Sequence, residues 1–255
     1  ISDSSISAIK TQSYTGKAVS PVPAVTYGGK KLVKNTDYTV SYSKNTAIGQ
    51  ASVKITGKGL YKGTKTVNIR PATVTKLKVS STGEKSVKLS WKKITGADSY
   101  AIYRYDNTSK KWHRIKTVKA VSFTDSGLAR AKGYSYKVKA VKKSGGKEYI
   151  SASYSKAVEA VTKPAKASCT AKSSGSGSIE VSWKAVGGAS GYEIYSSSNG
   201  SDYVKSAKVG GSQKSAIVSG FEPYSLRMVK VRAYKTVNGK TSYGAFSQAV
   251  MVIVK

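Results

Sequence analysis

Few residues in this 255-residue chain could do acid–base or nucleophilic chemistry, since it has one histidine, one cysteine and twelve carboxylates. His113 lies between Trp112 and Arg114 and belongs to no recognisable catalytic motif. General acid–base and nucleophilic catalysis need a titratable group beside a partner, and that group is most often a histidine. The sequence therefore predicts no catalytic residue, and we expect His113 to be an ordinary surface side chain.

The chain has no residue pattern for a metal ion or a cofactor. Cys169 is the single cysteine, which excludes an intrachain disulfide and a multi-cysteine metal site. Asp106 and Asn107 are too sparse for a calcium loop. We expect neither a metal nor a cofactor. An internal isopeptide crosslink needs a carboxylate, but Asp3 and Asp37 are the only acids of the first 71 residues, and Asp37 suits a turn.

Aromatic and basic side chains at alternating positions form the candidate ligand-binding site. Successive side chains of a strand point to opposite faces, so inward positions at Tyr134, Tyr136 and Val138 place two lysines on the outer face. The neighbouring strands add tyrosines, a tryptophan and an arginine. The candidate residues are Tyr103, Tyr105, Trp112, Arg114, Lys137 and Lys139. Aromatic rings beside cations suit acid-bearing sugars and equally single-stranded nucleic acid; alternatively, such a face is solvated or packed on a neighbour.

Strands must position these residues, because Val, Ile, Ala and Tyr recur in alternation and long helical periodicity is absent. The stretch around Trp91, SVKLSWKKITGADSYAIYRY, recurs around Trp183 as SIEVSWKAVGGASGYEIYSS. The offset is 92 residues (183 − 91), which indicates repeated domains rather than a solenoid of short units. We predict an all-β chain of three tandem β-sandwich domains at residues 1–71, 72–163 and 164–255, called here the first, middle and third segments.

Residues 72–163 resemble a fibronectin type III domain. The resemblance rests on Trp91 in the second strand, on Tyr100-x-Ile102 in the third, and on Leu128 followed by Tyr134 in a pattern typical of a tyrosine corner. The resemblance implies that Trp91, Trp183 and Tyr134 are structural core residues. Residues 164–255 share it, except that Arg227 stands opposite Tyr134, so the corner is either missing or supplied by Tyr224.

Residues 1–71 resemble small immunoglobulin-like modules of Gram-positive surface proteins, especially those of gut clostridia. The matching patterns are YTGKAVSP at 14–21, NTDYTVSY at 35–42 and ITGKGLYKGTKTVNI at 55–69. Together with the two fibronectin type III-like domains, this resemblance implies an extracellular or cell-wall-associated protein. No apolar run approaches the length of a membrane-spanning helix. We expect a monomer.

The formal net charge of +32 is spread over all three segments, and the middle one, with +15 (21 − 6), is the most basic. A lysine-rich surface keeps a protein soluble beside an anionic cell wall, whereas a specific site would capture a polyanion. The predicted partners are an anionic polysaccharide, a wall polymer, or a glycan or protein of a host surface, and we do not expect nucleic acid. We predict a non-enzymatic spacer or adhesion array. The alternatives are a binding module for anionic glycans and an accessory region of a secreted hydrolase whose catalytic domain lies outside this chain.

Overall fold

The computed structural model describes residues 6–58 and 62–255, and these residues form an all-β chain. Gly59, Leu60 and Tyr61, which belong to the third pattern of the immunoglobulin-like resemblance, lie outside the described residues, as does Asp3. Within the described ranges, no helix is long and apolar enough to cross a membrane.

The first segment has six strands, four of which form one sheet. Its strands are β1 (Gln12–Tyr14), β2 (Thr26–Tyr27), β3 (Lys30–Lys31), β4 (Tyr38–Ser43), β5 (Gly49–Gly57) and β6 (Lys62–Pro71). The sheet order is β1-β6-β5-β4, with β1 parallel to β6, and β2 and β3 form a separate hairpin around Gly28 and Gly29. Val53, Ile55, Val67 and Ile69 alternate inward into a buried core, as the period of a half-buried strand requires.

The middle segment contains two sheets. Its strands are β7 (Lys78–Thr82), β8 (Ser86–Ser90), β9 (Ser99–Asp106), β10 (Lys111–Val118), β11 (Ser122–Ser126), β12 (Gly133–Ser144), β13 (Lys147–Ile150) and β14 (Val158–Val161). One sheet has the order β11-β8-β7, and the other has the order β10-β9-β12-β13 with β14 also paired to β12. The inward side chains of β8, β9 and β12 include Val87, Leu89, Ile102 and Val138, all of them fully buried.

The third segment repeats this strand order. Its strands are β15 (Cys169–Gly175), β16 (Ser178–Trp183), β17 (Gly191–Ser197), β18 (Val204–Gly210), β19 (Ser215–Ser219), β20 (Leu226–Val237), β21 (Lys240–Tyr243) and β22 (Val250–Ile253). One sheet has the order β15-β16-β19, and the other has the order β18-β17-β20-β21 with β22 also paired to β20. Ile179, Ile194 and Val231, from both sheets, share one apolar core. This is the two-sheet sandwich that the sequence predicts.

The similarity of the middle and third segments extends to one loop, which joins β8 to β9 in the middle segment and β16 to β17 in the third. The Tyr100 hydroxyl accepts a hydrogen bond from the Ile94 N–H at 2.8 Å, and the Tyr192 hydroxyl accepts one from the Val186 N–H at 2.7 Å. Gly96 and Gly188 lie in these loops with φ of 77° and 76°, a conformation that favours glycine. The sequence match between the two stretches therefore corresponds to the same local geometry.

Several strand bounds differ from the sequence-based ones. The sequence predicts seven strands in residues 72–163, of which the first is near Thr75–Val79 and the last near Ser155–Val161. The first lies at β7, three residues later at its start, and the last begins only at Val158. Strand β13, which pairs with β12, is not among the seven predicted strands. Before β14, Ser151 and Ser155 donate their backbone N–H groups to the carbonyls of Ala140 and Val138. Their hydroxyls take the place of carbonyl acceptors, since Ser151 Oγ accepts the Ala140 N–H and Ser155 Oγ accepts the Val138 N–H. The regular strand β14 begins only after these two serines.

The chain forms two compact units. Among the described residues, one falls within Ile1–Lys78, Ser90–Phe123 and Tyr136–Val158, and the other within Val79–Leu89, Thr124–Ser135 and Glu159–Lys255. Strands of the middle segment contribute to both units. The predicted domain boundaries after residues 71 and 163 stay a prediction.

Candidate functional site: cation and aromatic faces on two sheets

The candidate residues of the middle segment occupy one face of the β10-β9-β12 sheet. Arg114 is directly opposite Tyr103 on β9, and Tyr103 is directly opposite Lys137 on β12. Trp112 is opposite Tyr105, and their ring centroids are 5.3 Å apart. The sheet therefore brings five of the six candidate residues together in two adjoining cross-strand rows, because directly paired residues of antiparallel strands share a face. Lys139, the sixth, is on the same face in another row, opposite Ala101.

The lysines of this face lie over aromatic rings of the same chain. Lys137 Nζ is 4.4 Å from the centroid of the Trp112 ring and 5.4 Å from that of Tyr154. Lys139 Nζ is 4.2 Å from the Tyr154 ring and donates a hydrogen bond to the Ala152 carbonyl at 3.1 Å. Burial, together with the charge of Arg70, lowers the pKa of Lys139 below its ordinary value. Both ammonium groups therefore have partners within the fold.

Arg114 is held by an ion pair. Its guanidinium donates to both carboxylate oxygens of Glu148 on β13, each at 3.0 Å, and to the Thr117 hydroxyl. The hydrogen bond from Arg114 lowers the pKa of Glu148, and burial beside Tyr154 raises the pKa of Tyr103. This bidentate geometry is the one in which arginine binds carboxylates most strongly.

Tyr154 is the residue of this face that sequence reasoning missed. It lies between β13 and β14, and its ring packs edge-on against Tyr103 with centroids 4.9 Å apart. The flanking Ser151 and Ser155 fix the segment to β12 through their hydroxyls. A signal was available, because the stretch SYSKAV around Tyr154 recurs as AFSQAV around Phe246.

The third segment carries a second face of the same construction. Lys230 occupies the position of Lys137 and lies directly opposite Tyr195, as Lys137 lies opposite Tyr103. Its Nζ is 3.5 Å from the Tyr203 ring centroid and 4.5 Å from that of Phe246. Tyr195 and Phe246 meet edge-on with centroids 5.0 Å apart. The sequence did not predict this second face.

Glu193 gives the second face a buried carboxylate, whose side chain is 2% exposed. It accepts hydrogen bonds from Arg232 at 2.7 Å and 3.0 Å and from Lys205 at 3.3 Å. Burial alone would raise the pKa of Glu193, but the hydrogen bonds and charges of Arg232 and Lys205 outweigh it, and the pKa is lowered. The Arg232 guanidinium also lies 4.1 Å from the Tyr243 ring centroid. A buried charge is tolerated here because two cations neutralise it.

The residues predicted to be structural occupy different environments. Trp91 and Trp183 are buried, and each contacts a tyrosine ring, Tyr100 or Tyr192. Tyr134 is half-buried rather than part of the buried core, and its hydroxyl accepts the Ala129 N–H at 2.9 Å.

The third segment has no tyrosine in the position of Tyr134. Tyr224 is 87% exposed, so it does not supply a packed corner. Arg227 stands there instead, with its guanidinium 4.9 Å from the Phe221 ring centroid. Arginine stacking on an aromatic ring thus takes the place of the tyrosine at this turn.

His113 lies near a serine and an aspartate at the exposed tip of the β9–β10 hairpin. Its Nε2 is 2.9 Å from Ser109 Oγ and 3.9 Å from Asp106 Oδ2. The Ser109 hydroxyl donates a hydrogen bond to the Asp106 carboxylate, which also accepts one from the Thr108 N–H. In a nucleophilic triad the carboxylate orients the histidine through its other ring nitrogen. Here the aspartate bonds the serine and the turn backbone, which is the arrangement of an Asx turn.

Two further features bear on possible ligands. In the described part of the chain, no group of three or more His, Cys, Asp or Glu residues could hold a metal ion. The first segment has a shallow groove of about 530 Å³, lined by Val22, Pro23, Ala24, Lys31, Leu32, Val33, Lys34 and Tyr38. Asp37 serves the adjoining turn, where its carboxylate accepts the Val33 N–H at 2.7 Å.

Comparison with known proteins finds one curated relative. No family model matches the chain. A poly(3-hydroxybutyrate) depolymerase of Ralstonia pickettii is 42% identical over 83 residues, which are 32% of this chain and 15% of that protein. The chain thus spans about 15% of the length of this relative.

Among solved structures, the chain is similar to proteins with fibronectin type III domains. A two-domain fibronectin type III segment of chicken tenascin has a TM-score of 0.45 and 17% identity, covering 71% of this chain and 98% of that one. The FN1-FN3 domains of chicken CNTN1 have a TM-score of 0.37 and 16% identity, covering 81% of this chain and 77% of that one.

Proposed function

We propose that this chain is a non-enzymatic spacer region of tandem β-sandwich domains that acts outside the cell or at its surface. The observation that carries the proposal is the pairing of cations and aromatic rings within each outer face. Lys137 and Lys139 lie over Trp112 and Tyr154, and Lys230 lies over Tyr203 and Phe246. These rings and ammonium groups stabilise the sheets that carry them. A ligand would have to displace these contacts.

A binding module for anionic polymers is the alternative that the charge of +32 favours. The two roles differ in where the affinity resides. A spacer with a uniformly basic surface loses the same affinity for a polyanion whichever lysines are neutralised. A binding module loses more when the lysines of the face are changed.

The deciding experiment compares two double variants of equal charge. Lys137→Gln with Lys139→Gln neutralises the face, whereas Lys30→Gln with Lys31→Gln neutralises two exposed lysines of strand β3. Binding to heparin and to an anionic wall polymer is measured by titration at about 0.15 M salt, where the Debye length is about 8 Å. We expect equal losses. A much larger loss for the Lys137 and Lys139 variant, with its melting temperature retained, would replace the spacer role with a ligand-binding one.

An accessory role in a larger secreted hydrolase is a second candidate, favoured by the match to the depolymerase. The matched length of 83 residues is close to the 92-residue repeat and covers only 15% of that enzyme. On this proposal the catalytic domain lies outside these residues. The purified chain should release no soluble 3-hydroxybutyrate from poly(3-hydroxybutyrate) granules, and release that depends on the chain would contradict a non-enzymatic role.

A further inference from the structure

The middle segment contacts the first one through two features, a glycine loop and a hairpin. At Gly96, an added Cβ would lie 2.9 Å from side-chain atoms of both Tyr14 and Ile48. The hairpin of β12 and β13 reaches strand β6: Tyr149 packs on the apolar core of the first segment, and the Ile150 carbonyl accepts a hydrogen bond from Arg70 at 3.4 Å.

The third segment contacts the middle one through the same two features. At Gly188, the counterpart of Gly96, an added Cβ would lie 3.1 Å from Ala131 Cβ. The turn of β20 and β21 lies on the end of the middle segment: Val237 sits against Gly133, where an added Cβ would be 2.8 Å from its Cγ1. Asn238 donates to the Glu159 carboxylate at 3.2 Å, and Lys240 donates to the Glu159 carbonyl at 3.1 Å. The contact mode therefore recurs along the chain.

The surface of the middle segment that the third segment contacts has a counterpart in the third segment itself, and that counterpart is exposed. Aligning Lys137 with Lys230 and Ser155 with Ser247 pairs Ala131, Gly133 and Glu159, which the third segment contacts, with Tyr224, Leu226 and Met251. The same alignment pairs Val161, two residues after Glu159 on β14, with Ile253. The alignment is supported by hydrogen bonding, since Ser155 Oγ accepts the Val138 N–H and Ser247 Oγ accepts the Val231 N–H, both at 3.0 Å. Ala131 and Val161 are each 5% exposed. Their counterparts Tyr224 and Ile253 are 87% and 65% exposed.

The four counterparts form an apolar patch. Leu226 on β20 is directly opposite Ile253 on β22, and Met228 is directly opposite Met251, so these side chains share the outer face of the sheet. Met251 is 67% exposed and Leu226 is 43% exposed. Contiguous exposed apolar patches of this kind mark interaction sites on soluble proteins.

We infer that the patch of Tyr224, Leu226, Met251 and Ile253 is a docking surface for a further β-sandwich domain, which would bind through its own glycine loop and hairpin. The occupant follows from continuity with the two contacts above, each of which places these elements on the end of the preceding segment. Met251 stands at the position that corresponds to Glu159 of the middle segment. Because this position is apolar in the third segment, we expect the hairpin of the docking domain to present apolar side chains. The hairpin bearing Tyr149 has this character, because Tyr149 packs on an apolar core.

The test extends the full chain by one domain. A copy of residues 71–163 is joined after Lys255, so that the new junction reads Lys-Pro like the existing Lys163-Pro164 junction. The readout is oxidation of Met251 by hydrogen peroxide, followed by peptide mass spectrometry, because methionine oxidation follows exposure. A short methionine-containing peptide added to the same reaction serves as the reference. A second extended chain carries Tyr149→Ser in the added copy.

We expect Met251 to be oxidised at least about fivefold more slowly in the extended chain than in the original one, and the Tyr149→Ser change to restore much of the rate. An unchanged rate in the extended chain would overturn the inference. Protection that already exists in the original chain and grows with its concentration would also overturn it, because the occupant would then be a second copy of the chain. The inference rests on the proposed role as part of a domain array, but this readout is independent of the polymer-binding assay.

Discussion

At the scale of single residues, the two repeats place equivalent side chains in unequal environments. Trp91 and Trp183 are buried to the same extent, 6% exposed each. The indole N–H of Trp183 donates to the Gln213 carbonyl at 3.1 Å, whereas the buried indole nitrogen of Trp91 has no hydrogen-bond partner. A buried donor without a partner lacks the contribution that a hydrogen bond makes to the free energy of unfolding.

Phenylalanine substitutions should separate packing from hydrogen bonding at these positions. We expect Trp91→Phe to lower the free energy of unfolding by less than Trp183→Phe does, with a difference of about 1 kcal/mol for the one hydrogen bond. Urea unfolding of both variants measures this difference. The alanine variants serve as the control, since each loses a whole buried ring and should cost about 3 to 5 kcal/mol. A Trp91→Ala variant as stable as the parent would contradict the core assignment.

Glu193 should make stability depend on pH. Its pKa in the folded state lies below the ordinary value of 4.5, so the folded state binds a proton less readily than the unfolded state. The resulting stabilisation is complete above the unfolded-state pKa and is lost as the pH falls through the lowered folded-state value. We expect Glu193→Gln to flatten the pH dependence of the melting temperature below about pH 5. If the variant and the parent had the same pH dependence of the melting temperature in this acid range, Arg232 and Lys205 would not stabilise the carboxylate.

At the scale of elements, serine hydroxyls position the aromatic residues of both faces. Ser155 and Ser247 each accept a backbone N–H from the long strand of their sheet, β12 or β20. Each lies immediately after the aromatic residue of its face, Tyr154 or Phe246. The hydroxyl takes the role of a ladder carbonyl, and the ring is held over the cations without a strand at that point.

Removing one of these hydroxyl groups should lower the free energy of unfolding, although the change removes only a single oxygen atom. Ser155→Ala leaves the buried Val138 N–H without its side-chain acceptor, and we expect a loss of about 1 to 3 kcal/mol in unfolding free energy, the cost of an unsatisfied buried donor. Ser153→Ala is the matched control, because Ser153 is exposed and its backbone carbonyl accepts from Ser151 in either variant. Chemical unfolding compares the two. Equal stability of the two variants would show that the backbone at Ser155 alone holds the segment.

At the scale of the whole molecule, positive charge dominates the surface. The net charge of +32 arises from 44 lysines and arginines against 12 acids, and several acids are already committed to ion pairs, such as Glu148 with Arg114 and Asp98 with Lys142. The excess cations therefore interact with the solvent and with any anionic polymer at the surface. Such attraction is long-ranged and is weakened by salt.

Binding to sulfated polymers should accordingly vanish with salt. We expect affinity for heparin to fall steeply as salt rises through about 0.15 M and to be negligible near about 0.5 M, because counterion release and screening control it. Titrations at a series of salt concentrations measure the slope. Affinity that persists at the highest salt would require contacts that screening does not weaken, and thus a formed site.

Local sequence determined much of this protein. The recurrence around Trp91 and Trp183 revealed the repeat, and alternation placed Val138 inside and Lys137 outside, because side-chain direction in a strand has a period of two and depends only on adjacent residues. The adjacent glycines Gly28 and Gly29 are a local turn signal, and they form the turn of the β2–β3 hairpin with φ of 53° and 77°, a conformation that favours glycine. These features need no knowledge of which strands are neighbours.

Tertiary structure alone decided which side chains meet. Tyr154 reaches Lys137 and Lys139 only because its loop is bonded to β12, and Glu193 is neutralised by Arg232 only because β17 and β20 are adjacent in that register. The exposure of Met251 and Ile253, at positions where the middle segment has a buried valine and a hydrogen-bonded glutamate, likewise depends on what lies against the sheet. Strand order, register and domain contacts join residues far apart in the chain, and alternation within a single strand contains no information about them.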